Sequence, residues 1–247
     1  MRVLGVIPAR LGSTRLPHKP LQLLAGEPLI TRVIQRVVEH DLTDELVVAT
    51  DSARIVEVAE RSGVRAVLTD PAHLSGTDRV AEVAARPEFA GADVVVNVQG
   101  DEPFLPREAL AGAIERVERG DDVGTAAAPL DPALAVDPAR VKVVTDAWGR
   151  ALYFSRAPIP HRREPSDDAT DLYWQHLGIY AYGQAALARW VAAEPSAAEL
   201  AERLEQLRAL HCGLTIGVAR LDEPALPGVD TPDDLQRAEA HWHALQG

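Results

Sequence analysis

One cysteine in 247 residues, Cys212, rules out an internal disulfide and a thiolate cluster for a metal. No apolar run approaches the roughly 18 residues that cross a bilayer, and "MRVLGVIPAR" carries a charged loop where a signal-cleavage site would fall. A cytoplasmic protein without a membrane partner is expected. Positive charge is scarce too, 25 Lys and Arg against 37 Asp and Glu, a formal net of −12. That balance argues against nucleic acid, which requires a broad basic face. Among the cations lysine is the scarcer: Lys19 and Lys142 stand alone in a chain that otherwise uses arginine. No internal repeat or low-complexity tract is found. The two common nucleotide fingerprints, G-x-x-x-x-G-K-[ST] and G-x-G-x-x-G, are missing as well.

What the chain does contain is a rhythm of apolar runs and polar loops. "RVLGVIPA", "ELVVATD" (45–51) and "ADVVVNVQGDEP" (92–103) read as buried strands, each ending in a polar loop. Helical spacing lies between them, through Leu29, Val33 and Val37, then through Ile55, Val58 and Ala59 after Ser52 as N-cap. This alternation predicts an α/β fold, a Rossmann-like three-layer sandwich with a mostly parallel sheet. Ligands of such sheets gather beyond the carboxyl ends of the strands.

The middle of the chain has another character. Residues 141–157 read as a β-hairpin turning at Asp146 to Gly149, followed by a charged, Pro-rich segment over 158–171 that suits a lid. A strand over 173–182 and helices over 185–193 and 197–210 follow. The end reads as strand "LTIGVARL" and a helix capped by Thr231 with Pro232 at its first position. One domain spans 1–247, with a small inserted β-rich lobe over about 130–190.

The local chemistry is most telling in "VIPARLGSTRLPHKPL". Arg10, Arg15 and Lys19 crowd a Gly and Ser loop with no carboxylate until Glu27, against the acidic average. Glycine lets backbone amides approach a phosphate, and a following helix would add its positive end. Three cations at roughly 1.5–3 kcal/mol per charge-assisted hydrogen bond would hold a triphosphate. Mg²⁺ usually accompanies one and favours one or two carboxylates, for which Asp101 and Asp230 are placed. From Arg140 to Arg163 five arginines and Lys142 face a single acid, Asp146, which suits a second anion such as a carboxylate.

The blocks "IPARLGSTRLPHKPL", "VATD", "HLSGTDRVAE", "VVNVQGDEP", "ALYFSRAPIP", "HLGIYAY", "LEQLRAL" and "GVDTPDDL" occur in one order along nearly the whole chain. Together they resemble the 3-deoxy-D-manno-octulosonate (Kdo) cytidylyltransferases, or CMP-Kdo synthetases, within the wider cytidylyltransferases. The resemblance implies transfer of CMP from CTP to the anomeric hydroxyl of Kdo, dependence on Mg²⁺, and a homodimer. Arg10, Ser13, Arg15 and Lys19 would then hold the triphosphate, with Arg10, Arg15, Lys19 and Asp101 catalytic. Pro8, Ala9, Thr50, Asp51, Ser75, Gly76, Thr77, Arg79 and Gln99 would complete the nucleotide site. Gln99, Arg156, His176, Tyr180, Glu205 and Gln206 would bind the sugar, and Asp101 and Asp230 the metal. Two departures stand out: His18 where the family pattern has the glycine of "LPGKP", and Asp137 and Ala139 in place of the asparagines of "NPNAVKVV", which leaves the role of Lys142 open. The alternatives are another acid sugar, sialate or an amino-Kdo, and a protein that binds CTP without reaction.

Overall fold

Seven residues, Val3–Ala9, form β1, buried along nearly its entire length, as befits a strand covered on both faces. A computed structural model describes residues 1–13, 15–164 and 171–246. It divides into two compact units, Met1–Leu105 with Leu226–Gly247, and Pro106–Ala225.

In the first unit the chain leaves β1 through a loop and a 3-10 turn, Lys19–Leu21, into the two-residue strands β2 (Leu23–Leu24) and β3 (Glu27–Pro28). Helix α1 (Leu29–His40) then buries Leu29, Ile30, Val33, Ile34 and Val37, the 3.6-residue stripe expected of a core-facing helix. Strand β4 (Glu45–Thr50), α2 (Ala53–Arg61), β5 (Arg65–Leu68), α3 (Gly76–Ala84) and β6 (Val94–Val98) follow. Strand β1 runs parallel to β4 on one side and β6 on the other, and β5 extends the sheet parallel to β4. The chain thus moves outward from β1 to β5 and returns to the other side of β1, the kind of switch point where α/β sheets bind ligands. Ser52 occupies the N-cap position of α2, but its hydroxyl makes no capping bond.

The second unit starts with α4 (Arg107–Glu118) and β7 (Val123–Pro129). A Cβ at Gly124 would lie 1.8 Å from the Ala113 carbonyl oxygen, so only glycine lets this strand and helix touch. The hairpin expected over 141–157 forms as β8 (Lys142–Thr145) and β9 (Ala151–Ser155), closed by Gly149 N–H on the Asp146 carbonyl. Strand β10 (Trp174–Gly183) pairs antiparallel with β7 and leads into α5 (Gln184–Ala192). Two short helices, α6 (Ala197–Glu202) and α7 (Gln206–His211), precede β11 (Ile216–Arg220), which is parallel to β7. The single helix expected over 197–210 is broken at Arg203, which adopts φ 55 and turns Leu204 into the core. Arg156 fixes the break: its Nε donates to the Glu202 carbonyl at 2.7 Å and its Nη2 to that of Arg203 at 3.3 Å, satisfying orphan carbonyls at the helix end.

The chain returns to the first unit in α8 (Pro232–Gln246). Thr231 Oγ1 accepts from Asp234 N–H at 3.2 Å while Asp234 accepts from Thr231 N–H at 2.8 Å, so the expected cap is present and reciprocal. The architecture is a Rossmann-like three-layer α/β fold, helices flanking a mixed sheet whose antiparallel pairs come from the middle of the sequence, while β2 and β3 pair antiparallel in a small sheet of their own. The lid expected over 158–171 falls partly on residues 165–170, which lie outside the described residues.

Candidate active site

The loop after β1 is shaped by its prolines and by His18. His18 sits at φ 53, in the left-handed region, which accounts for the glycine of the related pattern at this position. No α-helix follows the loop directly: α1 begins only at Leu29, after Ala25 and Gly26 at positive φ. The helix end that reaches the end of β1 is that of α3. A Cβ at Gly76 would lie 3.3 Å from Pro8 Cγ, and one at Gly100, after β6, 3.0 Å from the Pro8 carbonyl oxygen. Ser75 and Asp78 cap α3 reciprocally. Gly76 therefore lies against the Pro8 ring and Gly100 against the Pro8 backbone.

Lys19 projects from the 3-10 turn into two carboxylates. Its Nζ makes a short contact with Asp101 and donates to Asp230 Oδ1 at 2.8 Å, while Arg15 pairs with Asp230 Oδ2 at 3.1 Å. Burial works against charge on Lys19, yet the attraction of Asp101 and Asp230 outweighs it and its pKa rises above the ordinary lysine value. The side chains of Lys19 and Asp101 keep 18% and 21% exposure, enough for a ligand to reach them. An apolar cluster of Leu16, Leu24, Leu29, Val229 and Ala238 underlies this group and fixes loop and helix to each other. Because Thr231 and Asp234 cap α8, the Asp230 carboxylate is left for the cations.

Glu102 is the residue that pattern analysis misses. Burial first, then the charges of Asp101 and Asp230, push its carboxyl up to about 8, with Lys19 opposing. Its only signal in sequence is its place in "QGDEP" beside Asp101.

Arg79 is buried at 3% exposure and its guanidinium is taken up by Asp51 Oδ2 at 2.9 Å, Thr69 Oγ1 at 2.6 Å and the Asp70 carbonyl at 3.4 Å. It ties the ends of β4 and β5 together. Thr50 is fully buried, its hydroxyl accepting from Ser52 N–H, and Thr77 is buried in the first turn of α3. Ser13 Oγ accepts from Leu16 N–H at 3.3 Å, while Arg10 is exposed just past β1 and Gln99 is half-buried just past β6. Ala9 closes β1.

The sugar-motif residues other than Gln99 lie in the second unit. His176 Nε2 is 3.0 Å from Thr125 Oγ1, and its ring packs edge-on against Phe154 and tilted against Tyr180. Burial pulls its pKa down to about 3, so the imidazole is neutral. Burial, with Tyr182 and then Glu205, pushes the Tyr180 phenol upward, which brings Tyr180 and the Glu205 carboxylate into one neighbourhood. Gln206 is buried at the start of α7. Arg156 is anchored by Glu202, Arg203 and, through Nη1 at 2.8 Å, the Pro138 carbonyl.

A cationic loop at a sheet switch point, next to paired carboxylates, has the charge and position to take a phosphorylated ligand. The family profile described as Cytidylyltransferase matches residues 4–216, and the chain belongs to that family. It is 55% identical to the 3-deoxy-manno-octulosonate cytidylyltransferase of Gemmatimonas aurantiaca over 99% of this chain and 96% of that one. The enzyme of the same name from an Anaeromyxobacter species is 49% identical over 97% of this chain and 96% of its own. A solved structure of CMP:2-keto-3-deoxy-manno-octonic acid synthetase complexed with CTP superposes with a TM-score of 0.91 at 36% identity, covering 99% of this chain and 100% of the other. A 4-diphosphocytidyl-2C-methyl-D-erythritol synthase from Anaerococcus prevotii shares the fold alone, with a TM-score of 0.62 at 16% identity over 98% of both chains.

Proposed function

We propose that this enzyme transfers CMP from CTP to the anomeric hydroxyl of Kdo, giving CMP-Kdo and pyrophosphate and activating Kdo for lipopolysaccharide-type glycans. The observation that carries the reading is the Lys19 ammonium bonded to both Asp101 and Asp230 at the end of the phosphate loop. Full-length identity to enzymes named for this reaction supports it.

Arg10, Ser13, Arg15 and Lys19 bind the triphosphate, with Pro8 and Ala9 beside the base and Gly76 admitting the backbone of α3. Thr50, Asp51, Ser75, Thr77 and Gln99 border the nucleotide, and Arg79 holds Asp51 in position. Two hard carboxylates from different elements converging on one cation is a donor set that suits Mg²⁺. Asp101 and Asp230 would hold it, and bound there it would polarise the α-phosphate and acidify the sugar hydroxyl. The hydroxyl oxygen attacks the α-phosphorus as the bond to pyrophosphate breaks. Arg10 offsets charge on the α-phosphate; Arg15 and Lys19 meet the charge on the leaving pyrophosphate. Arg156 faces the sugar carboxylate, while neutral His176, Tyr180, Glu205, Gln206 and Gln99 take its hydroxyls.

No helix among the described residues is long and apolar enough to cross a membrane. A reaction that draws on CTP places the enzyme in the cytoplasm. The second unit exposes Trp148, Val136 and Leu152, apolar surface that a second copy would cover in a homodimer. The test is pyrophosphate release from CTP and Mg²⁺ with Kdo, sialate or no acceptor, and with UTP in place of CTP. Release with CTP and Kdo alone is expected. Release with another acid sugar would move the substrate, and CTP binding without release would refute catalysis.

A further inference from the structure

Of the two lysines of this chain, Lys19 is partly exposed and Lys142 is enclosed completely. Lys142 opens β8 with no exposed surface, although a lysine is almost never fully buried unless its charge is met. Its Nζ donates to three backbone carbonyls, those of Arg140 and Arg156 at 2.6 Å each and that of Asp137 at 3.0 Å. Three donors on one tetrahedral nitrogen meet three acceptors, so the ammonium is saturated within the backbone. Burial lowers the pKa of this group, as a tightly enclosed ammonium requires. A planar guanidinium spreads its donors over three nitrogens, as Arg156 does, whereas the ammonium directs three from a single atom, which suits a lysine to this compact site.

The carbonyls belong to the backbone that carries the sugar-motif residues. Arg156 supplies one of them directly, and its Nη1 reaches back to the Pro138 carbonyl. His176 N–H donates to the Val141 carbonyl at 2.8 Å, between Arg140 and Lys142. Arg140 Nη1 donates to Gln175 Oε1 at 2.6 Å, next to His176. Remove the ammonium and the 137–142 segment, the start of β10 and the end of β9 lose their common anchor.

We propose that Lys142 is a built-in cation that positions Arg156 and His176 for the acid sugar, in a carbonyl cage that a free monovalent cation of ammonium size enters once the side chain is removed. The positioning half rests on the functional reading above; the cage does not. Lys142 touches no reacting atom, so it is a positioning residue.

Lys142→Met, which fills the space without charge, and Lys142→Ala, which leaves room, are compared with the parent in ammonium, potassium, sodium and choline chloride at equal ionic strength. Thermal midpoints are read in every salt, with KM for Kdo, KM for CTP and kcat. For Lys142→Met the KM for Kdo should rise about tenfold, as for one lost charge-assisted contact, while the KM for CTP stays level. For Lys142→Ala, ammonium or potassium should raise the midpoint above that in choline and restore the KM for Kdo, and Lys142→Met and the parent should show no such response. Equal midpoints for Lys142→Ala in all four salts, or no folded Lys142→Ala in any of them, would overturn the cage. An unchanged KM for Kdo in Lys142→Met would overturn the positioning. If the parent itself releases no pyrophosphate with CTP and Kdo, the functional reading fails, and the salt-dependent midpoints still decide the cage.

Discussion

Replacing Glu102 by glutamine should stabilise the protein, and by an amount that depends on pH. The folded chain holds this carboxyl at about 8 against an ordinary 4.5, because burial and the neighbouring Asp101 and Asp230 disfavour its charge. Between those values the folded state keeps a proton that the unfolded state releases. Stability must therefore fall as pH rises through this window, by up to about 1.36 kcal/mol per unit. Integrated from pH 5 to pH 7, the loss is about 2.5 kcal/mol. Glutamine matches the shape and does not ionise, so Glu102→Gln should be near neutral at pH 4.5 and more stable than the parent by about 3 kcal/mol at pH 7. Urea unfolding of both proteins at pH 5 and pH 7, in chelator to keep divalent ions away from Asp101 and Asp230, measures the difference directly. A gain of the same size at both pH values, or one that grows toward acid, would refute a carboxyl held neutral by its surroundings.

Asp101→Asn should reduce pyrophosphate release by several orders of magnitude while leaving the thermal midpoint within a few degrees, checked by single-turnover kinetics and calorimetry; retained turnover would remove Asp101 from the reaction. Arg79→Met leaves Asp51 without its buried partner and should cost about 3 kcal/mol, or about 6–12 °C in Tm for a chain of this size. An unchanged melting curve would show that the strut between β4 and β5 carries no weight. His18→Gly relieves a left-handed residue worth roughly 1–2 kcal/mol, less roughly 0.5–1 for the freer unfolded chain. A net gain of about 0.5 kcal/mol is expected by urea unfolding, and a loss would mean that the His18 ring contributes contacts of its own.

Much of this protein is legible in its sequence. Val-rich runs ending in polar loops mark β1, β4 and β6, since a strand buried on both faces cannot carry polar side chains inside it. Thr231 and Pro232 mark the start of α8, because capping chemistry is local. Arg15, Lys19, Asp101 and Asp230 are identified by motif. By contrast, pattern analysis names no strand at Arg65–Leu68 or at Val123–Pro129: the first is half exposed, and "VGTAAAP" has little intrinsic strand preference and is a strand only because α4 and its neighbours cover it. The break at Arg203 is equally invisible, since "LAERLEQLRALH" has an unbroken helical stripe and the carbonyls are captured by Arg156, 46 residues away.

The sequence by itself determined which residues have the chemistry to hold an anion, a metal or a sugar, because charge and hydrogen-bonding capacity belong to the side chain. Only the tertiary structure decided what each would meet. It set Lys19 against Asp230, 211 positions away, enclosed Lys142 in three carbonyls, and kept Glu102 protonated. Those outcomes depend on desolvation and distance, which are properties of the packed chain and of no residue within it.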